Sequence, residues 1–488
     1  VIQDLGRPIR RSQNFTYQLY SGYRGSGKTT ELLRLRKDLE DRGHIVVYFA
    51  ADERDLSVQD AQHTDILLAC TRHLLQGLKQ ANPDPVLDWL KTRWADLQDV
   101  LLTEVTVDQV NLAVGLKELA KLTSAIRAQP GQRQKIRERL EPHTESLIDA
   151  LNRFIQDNSD RVAAKTKLVV IADNLDRIVP IFRDHGRSNH EEIFLDRSEQ
   201  LKALNCHIIY TVPISMVYSR WSTELEANYG IPRVLPSIMV RQEDNQPYQP
   251  GLDILRTMIL RRVPTPLQDS LVPTVFESEQ VLQKLCLMSG GYSRDLMILV
   301  REAINKTEML PIGIKAINSA IGNLRDVYER AIEPEEWIQL AQVSLSKQVT
   351  TSPSYLSLLF KRCMLQYSYF DESGTRRTFL DVHPVIEKLD RYTRARSDLL
   401  GGSKSLSSPD ESIDNIVVLG LEDLYRQYQH FLDQQDYKMI SNLSSQAVEF
   451  LDGLVKPMDS ELDRDSCRKL VALRSYWQLN ANLYKARI

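Results

Sequence analysis

Five short apolar runs in the first half of the chain set its architecture. Residues 15–20 are rich in aromatic and β-favouring side chains, and residues 44–50, 167–172, 207–212 and 234–240 are largely apolar segments of strand length. Runs without polar alternation predict parallel strands covered on both faces. Apolar positions at helical spacing follow the first run, from Thr30 to Leu39, and stop at Gly43. Between the second and third runs, from about 64 to 160, helical periodicity replaces strand signals, most clearly over 66–75 and 146–155. Pro83, Pro85, Pro130 and Gly131 punctuate that stretch. The pattern predicts a doubly wound α/β core over 1–250 with a helical insert at about 64–160. On the insert, Arg133, Lys135, Arg137 and Arg139 read as a solvated helix face.

Beyond the core the period changes. Residues 251–333 are helical throughout, and residues 334–396 read as helix, helix, hairpin, helix, the order of a winged helix. Residues 397–413, rich in Gly and Ser, read as a linker, and 414–488 as a helical C-terminal domain. At 488 residues the chain has room for about three domains. Its 42% hydrophobic and 26% charged content is that of a globular protein. A net charge of −3 argues against wholesale attraction to nucleic acid or membrane. Cys70, Cys206, Cys286, Cys363 and Cys467 are scattered, without metal-ligand or disulfide spacing, a pattern expected of a cytoplasmic protein. No apolar run approaches the roughly 18 residues of a membrane span, so no membrane partner is expected.

The chemistry concentrates after the first strand. Gly22, Tyr23, Arg24, Gly25, Ser26, Gly27, Lys28 and Thr29 match the phosphate-cradling loop G-x-x-x-x-G-K-[ST]. Glycines let successive N–H groups face phosphate oxygens, and the following helix adds its positive end, with Thr30 on its first turn. Lys28 is expected on the β- and γ-phosphates, and the Thr29 hydroxyl on Mg²⁺. A carboxylate at the end of a neighbouring strand must share that metal, and Asp173 stands there. The next residue is Asn174, which cannot accept a proton. Asp176 is the close carboxylate left to orient an attacking water. If it does not, turnover is slow and the nucleotide acts mainly as a switch ligand. Thr211 reads either as a γ-phosphate or water contact or as a plain strand residue. Arg294 sits on the first turn of a helix, where it opposes the dipole, and is expected to close over phosphate instead. Arg220 and Arg233 read as solvated side chains or as fingers toward a neighbouring subunit.

Together the phosphate loop, the strand end Asp173 to Arg177, Thr211 and the turn Gly290 to Arg294 resemble the AAA+ and STAND ATPases over residues 15 to about 394. The resemblance implies a three-layer α/β P-loop NTPase core with a parallel sheet, then a helical lid, a winged helix and a helical C-terminal extension. It implies ATP or ADP with Mg²⁺ as ligands. In the STAND branch, nucleotide exchange switches a closed monomer to a homo-oligomer that activates a protein effector, in a bacterial conflict or antiviral role. That branch carries a winged-helix histidine on the β-phosphate of ADP. His383 stands in the matching position, although the usual Asp after it is Pro384 here. The alternative is the replication-initiator-like AAA+ branch, which loads onto DNA through its winged helix. Its recognition helix must be basic, whereas residues 354–365 carry only Lys361 and Arg362. With two further arginines, Arg376 and Arg377, on the wing, DNA contact is open to this module and not favoured.

Overall fold

The structure, a computed structural model of the chain, describes residues 1–78, 82–92, 111–162, 168–181, 187–264, 271–349, 352–401 and 445–446. Contacts divide the chain into two units, Val1–Arg396 and Ser397–Ile488. The C-terminal helical extension expected over 414–488 lies, but for residues 445–446, outside the described residues.

The core is α/β. Five parallel strands, β1 (Tyr17–Gly22), β2 (Ile45–Ala50), β3 (Leu168–Asp173), β4 (His207–Val212) and β5 (Arg233–Leu235), form one sheet in the order β2-β3-β4-β1-β5. Every residue of β3 and β4 is buried, which is why these runs lack alternation. Successive side chains serve opposite faces. Val169 and Ile171 pack with Leu32, Leu35 and Leu39 of helix α1 (Lys28–Asp41) on one side. Val170 and Ala172 pack with the insert helices on the other. Those helices are α2 (His63–Gly77), α3 (Asp84–Thr92), α4 (Leu112–Ala128), α5 (Pro130–Leu140) and α6 (Thr144–Val162). Sheet and two covering layers make the three-layer core that the hydrophobic pattern predicts.

Two expectations fail here for physical reasons. Arg133 and Arg137 are not solvated. Four apart on α5, they share its inward face with Ile136 and Leu140, while Lys135 and Arg139 face water. Arg137 grips buried Asp65 at 2.6 Å, and Asp60 bridges Arg133 at 2.9 Å and Arg137 at 3.0 Å. The apolar run 234–240 is not one strand either. Pro236 has no N–H to give the ladder, so pairing stops at Leu235. Ser237 and Ile238 instead donate to Gln366 O (2.9 Å) and Gly291 O (3.1 Å).

A helical lid follows: α7 (Gln249–Leu260), α8 (Glu279–Met288), α9 (Ser293–Asn305) and α10 (Ile314–Ala331). The winged helix comprises α11 (Glu336–Ser346), α12 (Pro353–Phe360), the antiparallel hairpin of β6 (Met364–Phe370) and β7 (Arg376–Val382), and α13 (Asp390–Gly401). The recognition helix expected over 354–365 thus ends at Phe360. The last helix continues to Gly401, into what composition marks as linker. Among the described residues no helix is long and apolar enough to cross a membrane.

Candidate functional site

The phosphate loop joins β1 to α1. Gly25 and Gly27 hold φ of +93° and +101°, a region that side-chain-bearing residues avoid. Gly27 is the residue before α1, so that helix opens toward the loop. Lys28 is buried, and its ammonium group is fully engaged. It donates to Gly22 O and Tyr23 O, each at 2.8 Å, and lies 2.8 Å from Asp176 Oδ2. The other Asp176 oxygen and the Ser26 hydroxyl are buried without partners. Such buried polar atoms leave hydrogen bonding that a water, an ion or a polar ligand would complete.

At the end of β3 the Thr29 hydroxyl donates to Asp173 Oδ2 at 2.6 Å, and Tyr48 from β2 donates to the same oxygen at 2.9 Å. Burial, and then the Asp173 charge, push the Tyr48 phenol above its ordinary range. A hydroxyl and a carboxylate brought together suit a hard cation such as Mg²⁺, which completes its shell with phosphate and water. Among the described residues no cluster of three or more His, Cys, Asp or Glu could hold a metal by itself. Asn174, with φ of +67°, turns away onto Asp52 at 2.7 Å, where Arg177 also pairs at 2.7 Å. The Thr211 hydroxyl accepts from Leu175 N–H at 2.9 Å, so it braces the turn that carries Asp176.

The lid and the winged helix both reach the loop. Ser293 donates to Gly25 O at 2.9 Å. A Cβ on Gly25 would stand 2.7 Å from the Tyr292 hydroxyl and 3.0 Å from Arg294 Cδ. The lid therefore lies directly over the loop, and Arg294 with it. Tyr23, fully buried, accepts the backbone N–H of Gln366 on β6 at 2.8 Å. A cavity of about 300 Å³ opens between the three parts, lined among others by Tyr23, Asp176, Arg294, Lys361 and Arg362. Arg24 also lines it, whereas Thr30 is exposed on α1.

His383 is fully buried in the joint between lid and winged helix. Its Nε2 lies 3.3 Å from Asp295 Oδ2, and its ring stacks on Tyr328 at 4.6 Å. Burial would raise the Asp295 carboxyl, but His383, the Tyr328 hydroxyl and the Arg362 charge hold it below the usual carboxylate range. His383 is not among the residues lining the cavity. Arg220 is exposed over the Trp221 ring, and Arg233 lies in β5 opposite Tyr20. Sequence reasoning missed Tyr48, Tyr292, Ser293 and the cavity side of Arg362. Of these only Arg362 carried a signal, as a cation at the end of an apolar helix.

The fold and loop together define an α/β protein with a P-loop at the end of its first strand. No family model matches the sequence, and no curated protein does. Among solved structures, it is similar to the ORC1 protein of Aeropyrum pernix in complex with DNA. Identity is 11%, the match covers 83% of this chain and 92% of that one, and the TM-score is 0.33. The ORC2 protein of the same organism, solved with ADPNP and ADP, is similar at 13% identity, with 82% and 92% covered and a TM-score of 0.35. Cdc6p of Pyrobaculum aerophilum is similar at 11% identity, with 81% and 92% covered and a TM-score of 0.33. Likeness this distant does not transfer a function to the chain; the geometry of its own phosphate loop and cavity must supply one.

Proposed function

We propose that this chain is a nucleotide-gated switch, binding ATP or ADP with Mg²⁺ between its P-loop and its winged helix. One observation carries the reading. Tyr23 holds Lys28 through its carbonyl and the winged helix through its hydroxyl. Phosphates entering the loop must take Lys28 from the carbonyls of Gly22 and Tyr23. That exchange moves the residue on which the winged helix hangs. Lys28 would hold the β- and γ-phosphates, and Thr29 and Asp173 the metal, which supplies charge neutralisation for phosphoryl transfer. Arg294 would close from the lid, and Asp176, once released by Lys28, would orient water. In the manner of the STAND proteins, ADP would keep the lid and winged helix closed on a monomer. ATP would release them for self-association and effector contact. Driving such a switch from 1:99 to 99:1 takes about 5.5 kcal/mol of differential binding.

The second reading is a DNA-associated AAA+ ATPase, favoured by Arg376 and Arg377 at the exposed edge of the hairpin. Against it, Arg377 pairs with Asp371 and Lys361 with Glu336, at 2.8 and 2.9 Å. The nucleotide released from freshly purified protein, with mass by light scattering, separates the two. Near-stoichiometric ADP on a monomer that self-associates with a non-hydrolysable ATP analogue is the expected result. An empty site with turnover stimulated by DNA would favour the second reading.

A further inference from the structure

Arg362 occupies a place that sequence rules assign to glycine. Helix α12 ends in a paired closure, with Arg362 N–H donating to Leu359 O at 3.1 Å and Cys363 N–H to Leu358 O at 2.9 Å. The residue at the turning point of such a closure takes left-handed backbone, for which Gly or Asn is the ordinary choice. Here it is an arginine with φ of +66°. A strained backbone is retained where the side chain has work that offsets it.

The surroundings of that side chain say what the work is. Arg362 lines the same cavity as Gly22 of the phosphate loop and Asp176. Its guanidinium meets the Tyr292 hydroxyl at 3.3 Å and lies 5.4 Å from that ring's centre. Among the described residues no carboxylate stands at ion-pairing distance from it. Its neighbour Lys361 is neutralised by Glu336, and Asp176 is held by Lys28. The cavity therefore presents a planar, forked cation, acted on by the Asp295 charge but held in no direct ion pair, a group shaped for phosphate oxygens.

We propose that Arg362 is the winged helix's own phosphate contact, reaching the nucleotide's phosphate tail when the winged helix is closed. This rests on the nucleotide-switch reading and adds to it the residue through which the winged helix senses occupancy. It assigns to Arg362 the role that resemblance would give His383, which the structure turns onto Asp295. Because Arg362 belongs to the winged helix, opening of that domain withdraws the contact, and the contact in turn favours closure.

The test is ADP affinity by calorimetry, alongside the melting temperature, for the wild type, Lys28→Ala, Arg362→Gly and Arg362→Gln. Arg376→Gln, outside the cavity, controls for general charge. Loss of one charge-assisted phosphate contact should weaken ADP about 10- to 100-fold in both Arg362 variants. Arg362→Gly should melt no lower than wild type, since glycine relieves the strain. Arg362→Gln keeps a donor near Tyr292 and guards against loss of packing in the glycine variant. Wild-type affinity in both Arg362 variants, with Lys28→Ala unable to bind, would overturn this inference alone. A wild type that binds no nucleotide would overturn the switch reading as well.

Discussion

Lys28 and Asp176 form a pair sealed from water, with side-chain exposures of 5% and 3%. Removing one partner of a buried pair strands the other and costs about 3–5 kcal/mol. Lys28→Ala should therefore lose nucleotide binding and also melt earlier. Lys28→Ala combined with Asp176→Asn should regain the melting temperature without regaining binding, as read by thermal unfolding and calorimetry. A double variant that stays unstable would mean the pair is not the source of the loss. Asp173→Asn should leave metal-free ADP affinity in place and weaken Mg²⁺ binding about 10- to 100-fold. A Mg²⁺ titration of ADP binding that matches wild type would contradict that role. The places of Lys28 and Thr29 at the start of a helix and of Asp173 at the end of a strand were legible in the sequence, because a loop motif and an apolar run each mark them locally. Arg133 and Arg137 were not, because their partners Asp60 and Asp65 lie more than 70 residues away and only the folded insert brings them together.

At the scale of elements, what joins the three parts is backbone as much as side chain. Ser237 donates to β6, Ile238 to the lid turn, and Gln366 to Tyr23. None of these bonds leaves a trace in hydrophobic periodicity, so the strands and helices could be read while their closure onto the loop could not. The failed strand over 234–240 is the exception, since Pro236 announces where the ladder stops. Tyr23→Phe keeps the ring in its pocket but deprives the Gln366 N–H of its acceptor. Leaving that buried donor unpaired costs about 1–3 kcal/mol. Amide exchange across β6 should rise by the corresponding factor, with exchange in β3 unchanged. Unaltered exchange at Gln366 would show that the tyrosine hydroxyl does not hold the winged helix.

At the scale of the whole unit, buried histidines tie stability to pH. Burial pushes His190 from an ordinary 6.5 down to about 4, although its bond to Ile178 O opposes the shift. Burial, then the charges of Arg197 and Arg137, push His63 down to about 4 as well. The folded state holds both neutral, so their contribution is complete above 6.5 and is lost as pH falls from 6.5 toward 4. For His190 this amounts to about 2 kcal/mol between pH 6.5 and 5. The urea midpoint should fall over that interval, and His190→Gln should flatten the fall; an equal slope in the variant would exclude His190 as its source. Nucleotide occupancy acts on the same unit by a different route, through docking of the winged helix on the loop. Spin labels at exposed Lys37 on α1 and Glu372 on the wing report that docking as a distance distribution. With ADP and Mg²⁺ a single short distance is expected, and with a non-hydrolysable ATP analogue a longer population at its expense. The same distribution under ADP, ATP analogue and no nucleotide would contradict a nucleotide-gated switch.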